Sequence, residues 1–186
     1  MFVYIKNMVS LRCKLMVRDE LHKLGLEFVR IDLCVVKLMQ DITTAERQLL
    51  RENLSKSGLE LIEDKRSILI EKIKTVIVEM VHNDEDPPKT NYSDYISQKL
   101  GYDYTYLSNI FTEETGISIR QFIINHRIEL VKELLAYKEL NLTEISHKLH
   151  YSSVSHLSNQ FKKVTGISPS SYTRQSQTRT QNLENM

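Results

Sequence analysis

The chain of 186 residues has little of what most function classes require. It has only two cysteines, Cys13 and Cys34, too few for a disulfide framework and suited to a reducing cytoplasm. No run of 18 or more apolar residues exists, and the first sixteen residues, MFVYIKNMVSLRCKLM, carry charges inside their apolar stretch and no small-residue cleavage pattern. Neither a membrane span nor a secretory signal is therefore expected. Five glycines form no phosphate-cradling loop, and His22, His82, His126, His147, His150 and His156 show no metal-ligand spacing with Cys, Asp or Glu. These absences leave an enzyme without its usual machinery. Charge of one sign is missing too: 25 Lys plus Arg face 24 Asp plus Glu, a formal net charge of +1. Any attraction for nucleic acid must then be local.

What the chain does have is a repeat. Residues 107–118 read LSNIFTEETGIS and residues 157–168 read LSNQFKKVTGIS, in register at an offset of 50. Upstream, Ile96-Ser97-x-Lys99-Leu100-x-Tyr102 recurs as Ile145-Ser146-x-Lys148-Leu149-x-Tyr151 at an offset of 49. The one-residue slip falls between the two matches, where a turn absorbs it. Self-similarity of this length means one supersecondary unit used twice. In the second copy Leu142, Ile145 and Leu149 share a helical face that Thr143 is placed to cap. His150-Tyr151-Ser152-Ser153 interrupts the pattern, and a second stripe of Val154, Leu157, Phe161 and Val164 follows, with Gly166 and Pro169 as stops. The unit reads as a helix-turn-helix.

The exposed remainder of that second helix is Ser155, His156, Ser158, Asn159, Gln160, Lys162 and Lys163. Short polar groups early and lysines late suit base edges and then phosphates. A solvated helix surface has the same composition, so it is the duplication that favours a binding face. From Asn141 to the end five cations face two anions, whereas the first copy carries Glu113 and Glu114 where the second has Lys163 and Val164. The second unit is expected to supply more of the phosphate attraction, and the first to read or position.

These motifs resemble a known family. Leu142-Thr143-Glu144-Ile145-Ser146, Leu149-His150-Tyr151-Ser152-Ser153, Phe161-Lys162-Lys163-Val164-Thr165-Gly166 and Ser168-Pro169-Ser170-Ser171-Tyr172 are similar to the C-terminal signature of the AraC/XylS family of bacterial transcription factors. The resemblance runs from about residue 66 to 174. It implies two helix-turn-helix units joined by one long helix, and double-stranded DNA as partner. His150 departs from the family's usual Gly, but a His accepts a left-handed turn. The joining helix is expected over about 119–137, a span free of Gly and Pro with Phe122, Ile124, Ile128, Val131, Leu134 and Leu135 as its apolar stripe. At about 1.5 Å per residue it is roughly 27 Å long, suited to holding two reading heads near one DNA turn, about 34 Å, apart. The DNA-binding residues implied are Tyr104, Thr105, Tyr106, Ser108 and Asn109 in the first unit and Ser152, Ser153, Ser155, His156, Asn159, Gln160, Lys162 and Lys163 in the second. Arg127 in the long helix resembles a family arginine, with structural pairing or a phosphate contact as its role.

Residues 1–64 have a different grammar. Strand-like runs at Phe2–Ile5, Phe28–Ile31, Val35–Met39 and Leu59–Ile62 alternate with a helix whose stripe is Leu11, Leu15, Val17, Leu21 and Leu24, and with a second helix started by Thr43 or Thr44. The order βαββαβ is the ferredoxin-like arrangement. The expected fold class is thus an α+β ferredoxin-like domain over 1–64 followed by an all-α double helix-turn-helix domain over 65–174. A long helix from about Arg66 to His82 precedes the break Asn83-Asp84-Glu85-Asp86-Pro87-Pro88 and is assigned to the second domain, and a disordered tail is expected over 175–186.

The N-terminal order also resembles the heavy-metal-associated domain of copper chaperones. Asn7-Met8-Val9-Ser10-Leu11-Arg12-Cys13 lies where that family has Gly-Met-x-Cys-x-x-Cys, and Ser57-Gly58-Leu59-Glu60-Leu61 resembles its Ala-Gly-Tyr element. The family's pair of thiolates makes a soft site for a monovalent ion. Here the first position is Ser10, a hard oxygen, so a soft monovalent metal at Cys13 needs Met8 or a second chain's Cys13 as its other ligand. Otherwise the domain is an interaction surface, and a homodimer formed through it is the simplest form. Cys34 reads as a small core residue of its strand. Two functions stand: a cytoplasmic, sequence-specific DNA-binding regulator without a cofactor and with an effector the sequence does not name, or a metal-responsive sensor or carrier whose helical half makes protein contacts.

Overall fold

The computed structural model describes residues 1–82, 91–137 and 140–174. The acidic break at 83–88 and the tail at 175–186 lie outside them. Packing divides the described residues into two units, one within Met1–Glu79 and Thr90–Gly116, the other within Met80–Lys89 and Ile117–Met186. This division by packing is not the division by resemblance after residue 64. The first helix-turn-helix unit, and nearly all of the helix before it, group with the N-terminal sheet.

The first unit opens with β1 (Phe2–Lys6), α1 (Leu11–Lys23), β2 (Phe28–Asp32), β3 (Val35–Leu38), α2 (Thr44–Ser55) and β4 (Glu60–Ile62). The strands form one sheet in the order β2-β3-β1-β4, every neighbouring pair antiparallel. Alternation puts Val3, Ile5, Val36, Leu38 and Leu61 into a shared core with Val17 and Leu21 of α1 and Leu50 and Leu54 of α2. Thr43 and Glu46 close a capping box at the start of α2.

Two details differ from the sequence reading. The buried stripe of α1 runs through Cys13, Val17, Leu21 and Leu24, whose spacings of four, four and three keep one face. Leu11 and Leu15 fall off that face and are 70% and 40% exposed. Cys34 is buried but lies in the tight β2–β3 connection, at φ 66°, rather than in the strand. Burial, with Glu71 adding to it, pushes its thiol up to about 12.

Helix α3 (Lys65–His82) covers Tyr4, with the Lys72 ammonium 5.2 Å from the ring centre. Its buried Glu71 accepts from the Asn7 backbone N–H at 3.3 Å and from Lys74 at 2.6 Å, so the carboxylate is not left unsatisfied. Helices α4 (Tyr92–Leu100) and α5 (Tyr104–Thr115) complete the unit, burying Ile96, Leu107, Ile110 and Phe111.

The second unit holds α6 (Ile119–Tyr137), α7 (Leu142–Lys148) and α8 (Val154–Thr165), with a further helical turn over 169–174. Ile128, Val131 and Leu135 of α6 meet Ile145 and Leu149 of the α7 segment and Leu157 and Phe161 of α8. The cap of α7 is Asn141 and not Thr143: its side chain accepts from the N–H groups of Thr143 and Glu144, while Glu144 reaches back to the Asn141 N–H at 2.6 Å. Asn ranks above Thr as a cap.

The turn after α7 resolves the departure at His150. This residue takes φ 52°, the Tyr151 N–H reaches the Ser146 carbonyl at 2.9 Å, and the His150 N–H reaches His147 at 3.0 Å. These two bonds make a Schellman stop. In the first copy the matching position is Gly101, at φ 74°. A left-handed conformation costs an L-residue about 1–2 kcal/mol, and Gly gives part of that back through unfolded-chain entropy. His150→Gly is therefore expected to stabilise the protein by up to about 1 kcal/mol in denaturant unfolding. A loss of stability would mean that the imidazole makes a compensating contact.

Candidate nucleic-acid interface

In α8 the buried pair Leu157 and Phe161 fixes which residues look outward. Ser155, His156, Asn159, Lys162 and Lys163 are exposed, and Ser155 and Asn159, four apart, head the outer face. Ser153 caps the helix by accepting from the His156 N–H at 3.0 Å, and the Ser152 hydroxyl lies 3.0 Å from His156 Nδ1. The two serines therefore build the start of the helix and hold His156. Lys162 and Lys163 sit in the last turn, where cations also complement the helix dipole.

Gln160 is placed differently. It is half-buried on the flank of α8, and its Oε1 accepts from the Tyr151 hydroxyl at 2.7 Å. Tyr151 is itself buried and packs edge-on against His156 at 5.4 Å. The Arg127 guanidinium lies 4.5 Å from the centre of the Tyr151 ring and also donates to the Leu149 carbonyl. Arg127 thus ties α6 to the turn of the second unit through a cation–π contact and a charged hydrogen bond.

The first copy repeats this plan with other residues. Asp103 caps α5, accepting from Thr105 at 2.8 Å and Tyr106 at 3.2 Å. Asp103 thus serves to start the helix. Thr105, Tyr106 and Asn109 are exposed; Tyr104 and Ser108 are half-buried, and burial raises the Tyr104 hydroxyl pKa. Tyr106 stacks on Tyr102 at 5.8 Å, the counterpart of His156 on Tyr151. At the far end of α5, Glu113 and Glu114 are met by Arg66 of α3 at 2.6 and 3.6 Å. Sequence reasoning missed Arg66 and Tyr151. The repeat pointed to Tyr151, which aligns with Tyr102, whereas nothing local pointed to Arg66.

At the proposed metal position, Ser10 caps α1 by accepting from the Cys13 N–H, and its hydroxyl lies 3.4 Å from Cys13 Sγ. Burial raises the Cys13 pKa, but the Ser10 hydroxyl and backbone N–H groups outweigh it and leave the thiol below its ordinary value. Met8 is packed in the core. One thiol, one hydroxyl already used as a cap and a buried thioether do not match a two-thiolate site. Among the described residues no three His, Cys, Asp or Glu side chains are grouped to hold a metal, and no helix is long and apolar enough to cross a membrane.

Comparison with known proteins bears on the helical part. Residues 96–175 match the model of a helix-turn-helix domain. An uncharacterized HTH-type transcriptional regulator of Bacillus subtilis (strain 168), YtdP, is 32% identical over 99 residues, 53% of this chain and 13% of that protein. The Msm operon regulatory protein of Streptococcus mutans serotype c is 33% identical over 82 residues, 44% of this chain and 30% of that protein. This chain therefore matches less than a third of the length of either relative. Among solved structures, the C-terminal domain of AraT, a response regulator from Geobacillus stearothermophilus, superposes with a TM-score of 0.51 at 27% identity, covering 60% of this chain and 88% of that one. All three are named as regulators.

Arg127 generates a test. Arg127→Ala removes the cation over Tyr151 and a charged donor from the Leu149 carbonyl, which predicts a loss of about 1–3 kcal/mol in denaturant unfolding. An unchanged midpoint would show that the pairing carries no stability.

Proposed function

We propose that this chain is a sequence-specific DNA-binding transcriptional regulator of the AraC/XylS type. The observation that carries this reading is the duplicated, capped helix that turns a short polar face outward in each copy: Thr105, Tyr106 and Asn109 on α5, and Ser155, His156 and Asn159 on α8. Side chains of this kind discriminate base edges, while Lys162 and Lys163 attract phosphates without regard to sequence. Two such helices held on one chain suit successive major-groove segments, and α6 is the spacer between them. In this reading residues 65–174 are the DNA-binding part.

The N-terminal part belongs to the same proposal as a ferredoxin-like domain over residues 1–64. Its element order and its sheet order β2-β3-β1-β4 support that reading. We infer that it acts through protein contacts, most simply by pairing two chains so that two DNA-binding parts share one operator. The exposed Leu11 and Leu15 of α1 support a contact role.

Footprinting with the full chain tests the reading: protection of two successive groove segments is expected, and protection of one contradicts the two-headed arrangement. Variants then separate reading from anchoring. Asn159→Ala is expected to cost about 1–3 kcal/mol on the preferred site and to relax preference there, whereas Lys162→Ala weakens all sequences and flattens the salt dependence by about one unit. Equal loss on preferred and random duplex for Asn159→Ala removes it from the reading set.

A further inference from the structure

Between the first half of α6, with the residue before it, and the last half of α8 lies an open cleft of about 580 Å³. Its polar lining is Ser118, Arg120, Gln121, Asn125, Gln160 and Lys163. Ile124 and Val164 complete it, and no carboxylate lines it.

The hydrogen bonds inside this cleft engage two of its three amide oxygens. Gln160 Oε1 accepts from the Tyr151 hydroxyl at 2.7 Å, and the amide NH2 of Gln160 is left to donate. Asn125 Oδ1 is taken by Gln121 Nε2 at 2.8 Å, leaving the amide NH2 of Asn125. Ser118 Oγ accepts from the Gln121 N–H at 3.1 Å, so its own proton is available to donate. Arg120 and Lys163 have no ion-pair partner among the described residues. Five donor groups, two of them cationic, thus face one cleft in which Gln121 Oε1 is the only amide oxygen left unpaired. A neutral sugar or a base edge offers donors as well as acceptors and suits such a lining poorly. A phosphate offers acceptor oxygens and negative charge, and suits it well.

We propose that this cleft is a phosphate seat, with Arg120 and Lys163 supplying charge and the amides of Asn125 and Gln160 and the Ser118 hydroxyl donating. The seat takes a phosphate group carried by the DNA backbone or free in solution. Its use on DNA rests on the DNA-binding reading above and deepens it. Gln160 then moves from base reading to backbone anchoring, because its bond to Tyr151 holds the half-buried amide in one orientation and the two-point recognition of adenine needs both ends of the amide free to turn to the base. Tyr151 becomes a positioning residue for the anchor.

The experiment has two arms, both on the full chain. In the first, inorganic phosphate replaces chloride at constant ionic strength while the side-chain amide signals of Asn125 and Gln160 are followed by NMR. Saturable shifts that vanish in the Arg120→Ala, Lys163→Ala double variant show the seat filled by free phosphate. In the second, duplexes of preferred and of random sequence are titrated over a range of salt. If a backbone phosphate fills the seat, the double variant flattens the salt dependence on random duplex by about one unit or more. Gln160→Glu, which keeps an oxygen for Tyr151 but puts an anion into the seat, then weakens both duplexes alike, by about tenfold. Absence of phosphate shifts together with a Gln160→Glu loss confined to the preferred duplex overturns the proposal and returns Gln160 to base reading. Should the unaltered chain bind no duplex, the DNA reading fails and the phosphate titration alone decides the seat.

Discussion

The arrangement of the second helix in each copy depends on one aromatic side chain driven fully into the core beneath it, Phe111 under α5 and Phe161 under α8. With 3.6 residues per turn, burying Phe161 together with Leu157 leaves no freedom about which residues face out. The polar set of Ser155, His156, Asn159, Lys162 and Lys163 is exposed as a consequence of that burial. Removing such a ring typically costs about 3–5 kcal/mol, far more than the ion pairs at the surface. The outward face is therefore specified from the inside.

Around that constraint the two copies solve the same local problems with different chemistry. The turn between the helices needs a left-handed residue, supplied by Gly101 in one copy and His150 in the other. The second helix needs a cap, supplied by Asp103 and by Ser153. An aromatic in the turn braces the third helical residue, Tyr102 against Tyr106 and Tyr151 against His156. The electrostatics diverge at the far end, where Lys162 and Lys163 of α8 are open to phosphates while Glu113 of α5 is held by Arg66. Of α5 and α8, only α8 carries cations in its last turn, and the phosphate seat lies beside them.

Much of this was legible in the residues. Offsets of 49 and 50 located both helix-turn-helix units, and the Gly- and Pro-free span gave α6 its bounds of Ile119–Tyr137, because helix periodicity and its breakers are local signals. The strands and helices of the first 62 residues followed from alternation and turn residues for the same reason. What was not legible depended on partners distant in sequence. Arg66 lies 47 residues from Glu113, and the bond that commits Gln160 comes from a tyrosine across the turn. In the α1 stripe Val17, Leu21 and Leu24 lie on the buried face as expected, while Cys13 and not Leu11 or Leu15 continues it. Grouping of the first helix-turn-helix unit with the sheet was equally hidden, since packing between segments leaves no period in the sequence.

The central claim is that the two outward faces read DNA as a pair. Selection of bound duplexes from a random pool by the purified full chain tests it most directly. The account predicts two short preferred blocks whose centres lie about 10 base pairs apart, with the block lost on Asn159→Ala distinct from the block lost on Asn109→Ala. Enrichment of a single block, or of none above the random pool, would contradict it.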